Sequence, residues 1–423
     1  MMRGSNGHPG GTRTALRGRT AARAAWGPLD QALSSLTNLV PALLIAGRGS
    51  ASDFANIAIV LLAVNLSLGL VRSLTGEITV AQSGDAAQSL PKTEYTSGAA
   101  LLVGLACAAA LAALGLLLGA SSAIGEPLLF AAATVPFIAV QDQFRYANLA
   151  SGKGQVACAS DGLWLLLLVA GAALSSQASW QSAATKWAVA GAIAGAITAA
   201  WQRTAPNPLG GGRWLRENLP RGRTFGVEYM SVAGASTTAL LLVGAVAPTG
   251  VIAAIRGLQL AAAPIAIALG GLSVTMPRAL ARHGTLTRLG STTRLATLFS
   301  TVAAAGGATI AIALGFSGSR FLGSTWPYVE EIRWLIVPYV ASVALGVPYR
   351  AFVRIGGGEK VSAQVNLYLS PLVLALPAIT ARTSGAVLCM ATICLLTLSG
   401  SLAQVFAAHH LDAHRTDPPV GAR

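Results

Sequence analysis

Charge is what this chain has least of. Of its 423 residues only 10% are Asp, Glu, Lys or Arg, against roughly 25% in an ordinary soluble domain. Acids are the scarcer sign, with 15 Asp+Glu against 29 Lys+Arg and a net charge of +14. A soluble protein this poor in charge could not cover its surface. A nucleic-acid binder would carry its cations among many other polar residues. Intrinsic disorder requires low hydrophobicity, and 53% of this chain is hydrophobic.

Other absences narrow the field further. There are four cysteines, Cys107, Cys158, Cys389 and Cys394, all inside apolar stretches and without a CxxC. They read as small packing residues, not as disulfide or metal ligands. Gly356–Gly358 with Glu359 and Lys360 is glycine-rich but lacks the spacing of a phosphate loop. No ATPase motif and no paired-carboxylate motif in a long loop is present, so the chain does not read as an enzyme. His409, His410 and His414 read as part of a solvated tail. Residues 1–26 hold Arg3, Arg13, Arg17, Arg19 and Arg23, no acid and no long apolar run. A signal peptide needs a continuous apolar core, so this segment reads as a basic cytosolic tail ahead of a retained membrane helix.

What the chain has in abundance is apolar runs long enough to cross a bilayer, about 20 residues each. Twelve are expected, near 27–47, 53–72, 97–118, 127–147, 156–175, 184–202, 226–246, 251–274, 295–316, 333–353, 362–381 and 384–407. With the N-terminus cytosolic, 23 of the 29 cations fall in cytosolic segments, five in external ones, and Arg256 inside the eighth span. That imbalance is what the positive-inside rule expects. The fold class is therefore all-α integral membrane, with twelve transmembrane helices in two six-helix bundles and both termini cytosolic. The expected organisation is a basic tail (1–26), a first bundle (27–202), a cytosolic linker (203–225), a second bundle (226–407) and a cytosolic tail (408–423). An even number of spans per half makes the repeat a parallel one. Asp30 opens the first span and Glu228 the seventh, each followed by a Ser/Thr-rich turn.

Ionisable residues inside spans are costly and usually face a cavity. Asp30 and Glu228 read either as ion-coupling acids or as interfacial helix-start carboxylates. Gln141, Asp142 and Arg145 cluster at the end of span four, where Asp142 and Arg145 are three apart and can pair on one face. Asp161 can meet Arg145 across the turn at 152–154. Arg72 and Glu77 flank the exit of span two. Arg256 either snorkels to the outer interface or points inward as a phosphate-binding fork. Arg278, Arg350 and Arg354 read as anchors at the cytosolic mouth.

Several stretches resemble polysaccharide flippases of the multidrug/oligosaccharidyl-lipid/polysaccharide (MOP) superfamily. LDQALSSLTNLVPALLIAGRGSASDFANIAIVLLAVNLSLGLVRSLTGE (29–77) is similar to their first two spans, and QDQFRYANLASGKGQVACASDGLW (141–164) to their fourth-to-fifth junction. GVIAAIRGLQLAAAPIAIALGGLSVTMPRALAR (250–282) resembles their eighth span, and LGSTWP (322–327) the segment before span ten. The Ala/Arg/Gly-rich style resembles actinobacterial members. The resemblance implies two rocking bundles around a cavity that accepts a polyprenyl-(pyro)phosphate-linked glycan. It implies Arg72, Arg145 and Arg256 as contacts to the substrate phosphate, and Asp30 for proton or sodium coupling, with Glu228 as a second coupling candidate. Asp142, Asp161 and Glu77 would be supporting ion-pair partners. No resident cofactor, metal or nucleic acid is implied. The partners are the lipid-linked glycan, membrane lipids and glycan polymerases or glycosyltransferases at the plasma membrane. The competing readings are a cation-coupled exporter of the multidrug and toxin extrusion type and a membrane-embedded glycan polymerase. The latter would need an acid pair, for which Glu330 and Glu331 are the candidates.

Overall fold

The computed structural model describes residues 10–83, 90–174, 179–270, 272, 289–355 and 359–413. Among these no strand is formed. The helices are α1 (Gly10–Arg48), α2 (Ala51–Ser83), α3 (Thr93–Leu117), α4 (Gly125–Ala150), α5 (Gly154–Ala173) and α6 (Trp180–Gln202). They continue with α7 (Pro208–Val246), α8 (Thr249–Ala261), α9 (Leu289–Leu322), α10 (Ile336–Ile355) and α11 (Glu359–Ala413). Among the described residues ten helices are long and apolar enough to cross a membrane. The count is eleven when α8 is joined to its continuation Ala263–Gly270 across a 58° bend. The chain is a multi-pass membrane protein. Arg278, Arg282, Arg288 and residues 356–358 lie outside the described residues.

α2 is the axis of the first half. It starts at a capping box, where the Asp53 amide donates to Ser50 Oγ at 3.0 Å and the Ser50 amide to Asp53 Oδ2 at 3.2 Å. These bonds satisfy orphan donors that lipid could not. The same Asp53 accepts from the Trp180 amide at the start of α6. Phe54, Ile57, Ile59, Val60 and Leu61 along α2 are all buried, because α1, α4, α7 and α8 surround it. A π-helical turn at Arg72–Gly76 interrupts α2.

The expected linker at 203–225 is largely helical. Arg203 ends α6 in the left-handed region (φ 51°), and a short connection leads to Asn207, whose side chain caps α7 by accepting from the Gly210 amide. Pro208 then takes the first helical position, where its missing N–H costs nothing. Gly98 and Gly211 let the first turns of α3 and α7 cross in backbone contact, and Trp214 packs with Ile78 and Ala99. Glu228 therefore lies inside α7, not at its start.

α11 does not run straight. Gly385 has φ 77° and ψ −162°, outside any helix. The Cys389 thiol donates to the Pro377 carbonyl at 3.2 Å. Twelve residues of straight helix would hold those positions about 18 Å apart, so the chain folds back on itself at Gly385.

Besides the packing of α2 against α7 and α8, hydrogen bonds join the two halves. Ser324 Oγ donates to the Gly49 carbonyl at 2.8 Å, beside the close approach of Gly323 (φ 45°) to Gly47. Midway along α2, the Tyr229 hydroxyl of α7 lies 3.2 Å and 3.3 Å from the Asn65 and Leu66 carbonyls, over Gly69.

Candidate functional site

A buried charge cluster lies within the first half, and a cavity lies between the halves. The cluster is built from α1, α2, α4 and α5. Arg145 Nε donates to Asp30 Oδ2 at 2.6 Å and stands 3.5 Å from Asp161 Oδ2. Its other nitrogens donate to Asp142 Oδ1 at 3.0 Å and to Gln31 Oε1 at 3.1 Å. Arg72, at the start of the π turn, grips the same Asp142 with two bonds, Nε donating to Oδ2 at 2.7 Å and Nη2 to Oδ1 at 2.9 Å. Such fork-to-carboxylate pairs are the strong form of the hydrogen bond. Gln141 donates to Asp161 Oδ1 at 2.8 Å, and Thr198 of α6 reaches Ser160 at 2.9 Å. Both guanidinium groups lie within about 6 Å of the Tyr146 ring, Arg145 at 5.7 Å and Arg72 at 6.0 Å.

Asp30 and Asp161 are fully buried, and Asp142 and Arg145 nearly so. Arg72 keeps 30% of its side chain accessible. Three carboxylates face two guanidiniums, so the fully ionised cluster carries one excess negative charge. The surplus has a location: Asp30 Oδ1 and Asp161 Oδ2 are buried oxygens without a hydrogen-bond donor. Removing one member of such a buried set leaves an uncompensated charge.

The second feature is a cavity of about 530 Å³ between the halves. α1 contributes Gln31, Ser35 and Asn38, and α2 contributes Asn65. From the second half come Ser236, Thr237, Arg256, Gln259 and Tyr339. Arg256 is the one charged residue in the described lining. Its guanidinium donates to Gln259 Oε1 at 2.8 Å, and its Nε is buried without an acceptor. Among the described residues no carboxylate lies within ion-pair distance of it. Arg256 therefore faces the cavity. Gln31 belongs to both features, since it lines the cavity and accepts from Arg145.

Sequence spacing anticipates the Asp142–Arg145 pair and the approach of Asp161 to Arg145. It does not anticipate Asp30 as the closest partner of Arg145, 115 residues away, or Asp142 as the partner of Arg72. Glu77 is exposed one turn past Arg72, and Glu228 is half-buried on α7. Neither joins the cluster's ion pairs. Gln259, three residues after Arg256, follows from helical spacing alone. Tyr339 does not.

No protein-family model and no curated protein sequence matches the chain; the likeness is one of fold. A structure of the lipid II flippase MurJ in an inward closed conformation is similar at a TM-score of 0.62 and 14% identity, covering 90% of this chain and 86% of that one. An inward-facing multidrug resistance MATE family transporter of the MOP superfamily is similar at 0.60 and 14%, covering 90% and 95%. A MOP superfamily transporter from Pyrococcus furiosus, described as having a binding pocket of reverse polarity, is similar at 0.55 and 15%, covering 93% and 95%. The chain has the fold of MOP superfamily transporters.

Proposed function

We propose that this protein is an alternating-access flippase. It moves a polyprenyl-(pyro)phosphate-linked oligosaccharide or polysaccharide precursor from the inner to the outer leaflet of the plasma membrane. The observation that carries this reading is the charge of the central cavity. Among the described residues its one charged lining residue is a cation, with a few amides and hydroxyls beside it in an otherwise apolar wall. A phosphate entering beside Arg256 gains a charge-assisted pair. A cationic drug would be repelled there, which weighs against a multidrug exporter.

The cluster in the first half supplies the driving step. One excess negative charge in a membrane interior is relieved by a proton or a sodium ion, with Asp30 and Asp161 as the acceptors. Neutralising Asp30 weakens the hold on Arg145, whose neighbour Gln31 already lies in the cavity wall. Arg145 and the partly exposed Arg72 then become available to the headgroup, with Asp142 as their shared anchor and Glu77 beside Arg72. Glu228 is the corresponding coupling candidate of the second half.

The topology belongs to the same reading. Counting α8 with its continuation as one span and the hairpin at Gly385 as two gives twelve spans. They form bundles over 27–202 and 226–407, with both termini cytosolic. Partners follow from the substrate: membrane lipids, and the glycosyltransferases and polymerases that make and extend the glycan.

The test is translocation of a polyprenyl-pyrophosphate glycan in proteoliposomes. Arg256→Gln loses at least tenfold in rate while inserting normally, and Arg256→Lys retains part of it. Full activity in Arg256→Gln rejects the reading.

A further inference from the structure

The first half of α7 has two unlike faces. Gly211, Trp214 and Gly222 are buried on one. Gly211 meets the backbone of Gly98 and Ala99 in α3, Trp214 packs with Ile78 and Ala99, and Gly222 lies beside Leu74 and Ile78 of α2. On the other face stand Leu209, Arg213, Arg216, Pro220, Arg223 and Val227, all exposed. They recur at intervals of four and three residues, so they form one stripe along the helix. Among the described residues none of the three arginines lies within ion-pair distance of a carboxylate. Glu217, exposed on the flank of the stripe, pairs with none of them.

The packing sets the depth of that stripe. Gly98 and Leu102 belong to the first turns of α3, an apolar span. A Cβ on Gly212 would stand 3.5 Å from Leu102 Cδ1. The start of α7 is therefore level with the edge of the apolar layer, not far out in solution. At its other end the helix runs on into the apolar stretch Ala235–Val246. In the middle, Pro220 lacks the amide that would bond the Arg216 carbonyl. A carbonyl freed in this way needs water or a headgroup donor, which lipid tails do not supply. The stripe thus lies in the polar layer of the bilayer. Apolar side chains stand exposed beside its cations, with Leu209 at 89% and Trp201, at the end of α6, at 66%. Cations with aliphatic and aromatic anchors beside them mark surfaces that sit at a membrane interface.

We propose that this face of α7 is a docking surface for anionic phospholipids, whose phosphates pair with Arg213, Arg216 and Arg223. The charges are complementary, and a guanidinium fork matches phosphate oxygens. Leu209 and Val227, in the same stripe, turn toward the acyl layer, a contact that an acidic protein patch would not use. From Arg213 to Arg223 the helix rises about 15 Å, so headgroups engage it at more than one point. The same helix carries Tyr229, which reaches α2, and Ser236 and Thr237 in the wall of the central cavity. Bound lipid therefore holds a helix that lines the transport path. The surface is separate from Arg256 and does not depend on which substrate the cavity carries.

The experiment places the purified full chain in nanodiscs of phosphatidylcholine with a trace of spin-labelled phosphatidylglycerol or spin-labelled phosphatidylcholine. The fraction of label immobilised by the protein reports its lipid preference. The parent chain is expected to prefer phosphatidylglycerol, and added salt to weaken the preference. Replacing Arg213, Arg216 and Arg223 together by Gln is expected to cut the preference at least fivefold, about the worth of one cation at an anionic surface. The unfolding temperature should not change, because all three side chains are exposed. Arg216→Gln alone moves the preference in the same direction, and the triple Lys variant retains most of it. Arg48→Gln with Arg320→Gln removes two exposed cations at the opposite end of the bundle and leaves the preference intact. An equal loss in that control would make the effect one of net charge and overturn the proposal. An unchanged preference in the triple Gln variant would also overturn it, and would leave the stripe to an acidic protein partner.

Discussion

Arg145 and Asp30 sit 115 residues apart in the chain and 2.6 Å apart in space. Their contact ties the helix that enters the first half to the helix that carries its most heavily engaged cation. Because Arg145 also holds Asp142 and approaches Asp161, one guanidinium organises three carboxylates. Arg145→Gln should therefore destabilise the protein by about 3–5 kcal/mol, as for other buried ion pairs broken on one side. Thermal unfolding in detergent measures this. Arg145→Gln combined with Asp30→Asn should recover a large part of the loss, because the pair is then removed as a unit.

Asp161→Asn should behave differently. It removes the surplus charge and leaves Arg145 with Asp30 and Asp142. The expected outcome is a stable protein that binds substrate but no longer responds to an imposed proton or sodium gradient. Transport assays with and without the gradient make the comparison, and an undiminished gradient response would remove Asp161 from the coupling step.

The Tyr229 contact with the Asn65 and Leu66 carbonyls links the halves. It exists because Gly69 leaves room for the ring, and a Cβ there would overlap it. Tyr229→Phe should cost the contact between the halves about 1 kcal/mol, the net worth of an ordinary hydrogen bond. Gly69→Val should displace the ring altogether. Both changes should raise alkylation of a cysteine placed at Ser35 in the cavity wall, Gly69→Val more strongly.

Gly385→Ala tests the turn that divides α11. The glycine φ of 77° with ψ of −162° is backbone essentially reserved for glycine, and an L-residue there costs of order 1–3 kcal/mol. A lower unfolding temperature is expected. Pro377→Cys should crosslink to Cys389 under oxidation, which a continuous straight helix would forbid.

An epitope inserted between residues 119 and 126 should be labelled on intact cells. Labelling only after permeabilisation would reverse the assigned orientation.

What the sequence determines by itself is whatever depends on local composition and short spacing. Scarcity of charge and the length of the apolar runs require a polytopic membrane protein, and helical spacing pairs Asp142 with Arg145. Tertiary packing decides the rest. A membrane helix is apolar toward lipid and toward its neighbours alike, so periodicity does not reveal which face turns inward. Only the packed bundle turns Arg256 toward the cavity instead of the outer interface. Only the bundle gives Asp142 to Arg72 in place of Glu77, and draws the expected linker against α3 through Gly98 and Gly211. Charge is dictated residue by residue, but its partner in a medium without water is whichever opposite charge the helix packing brings within reach.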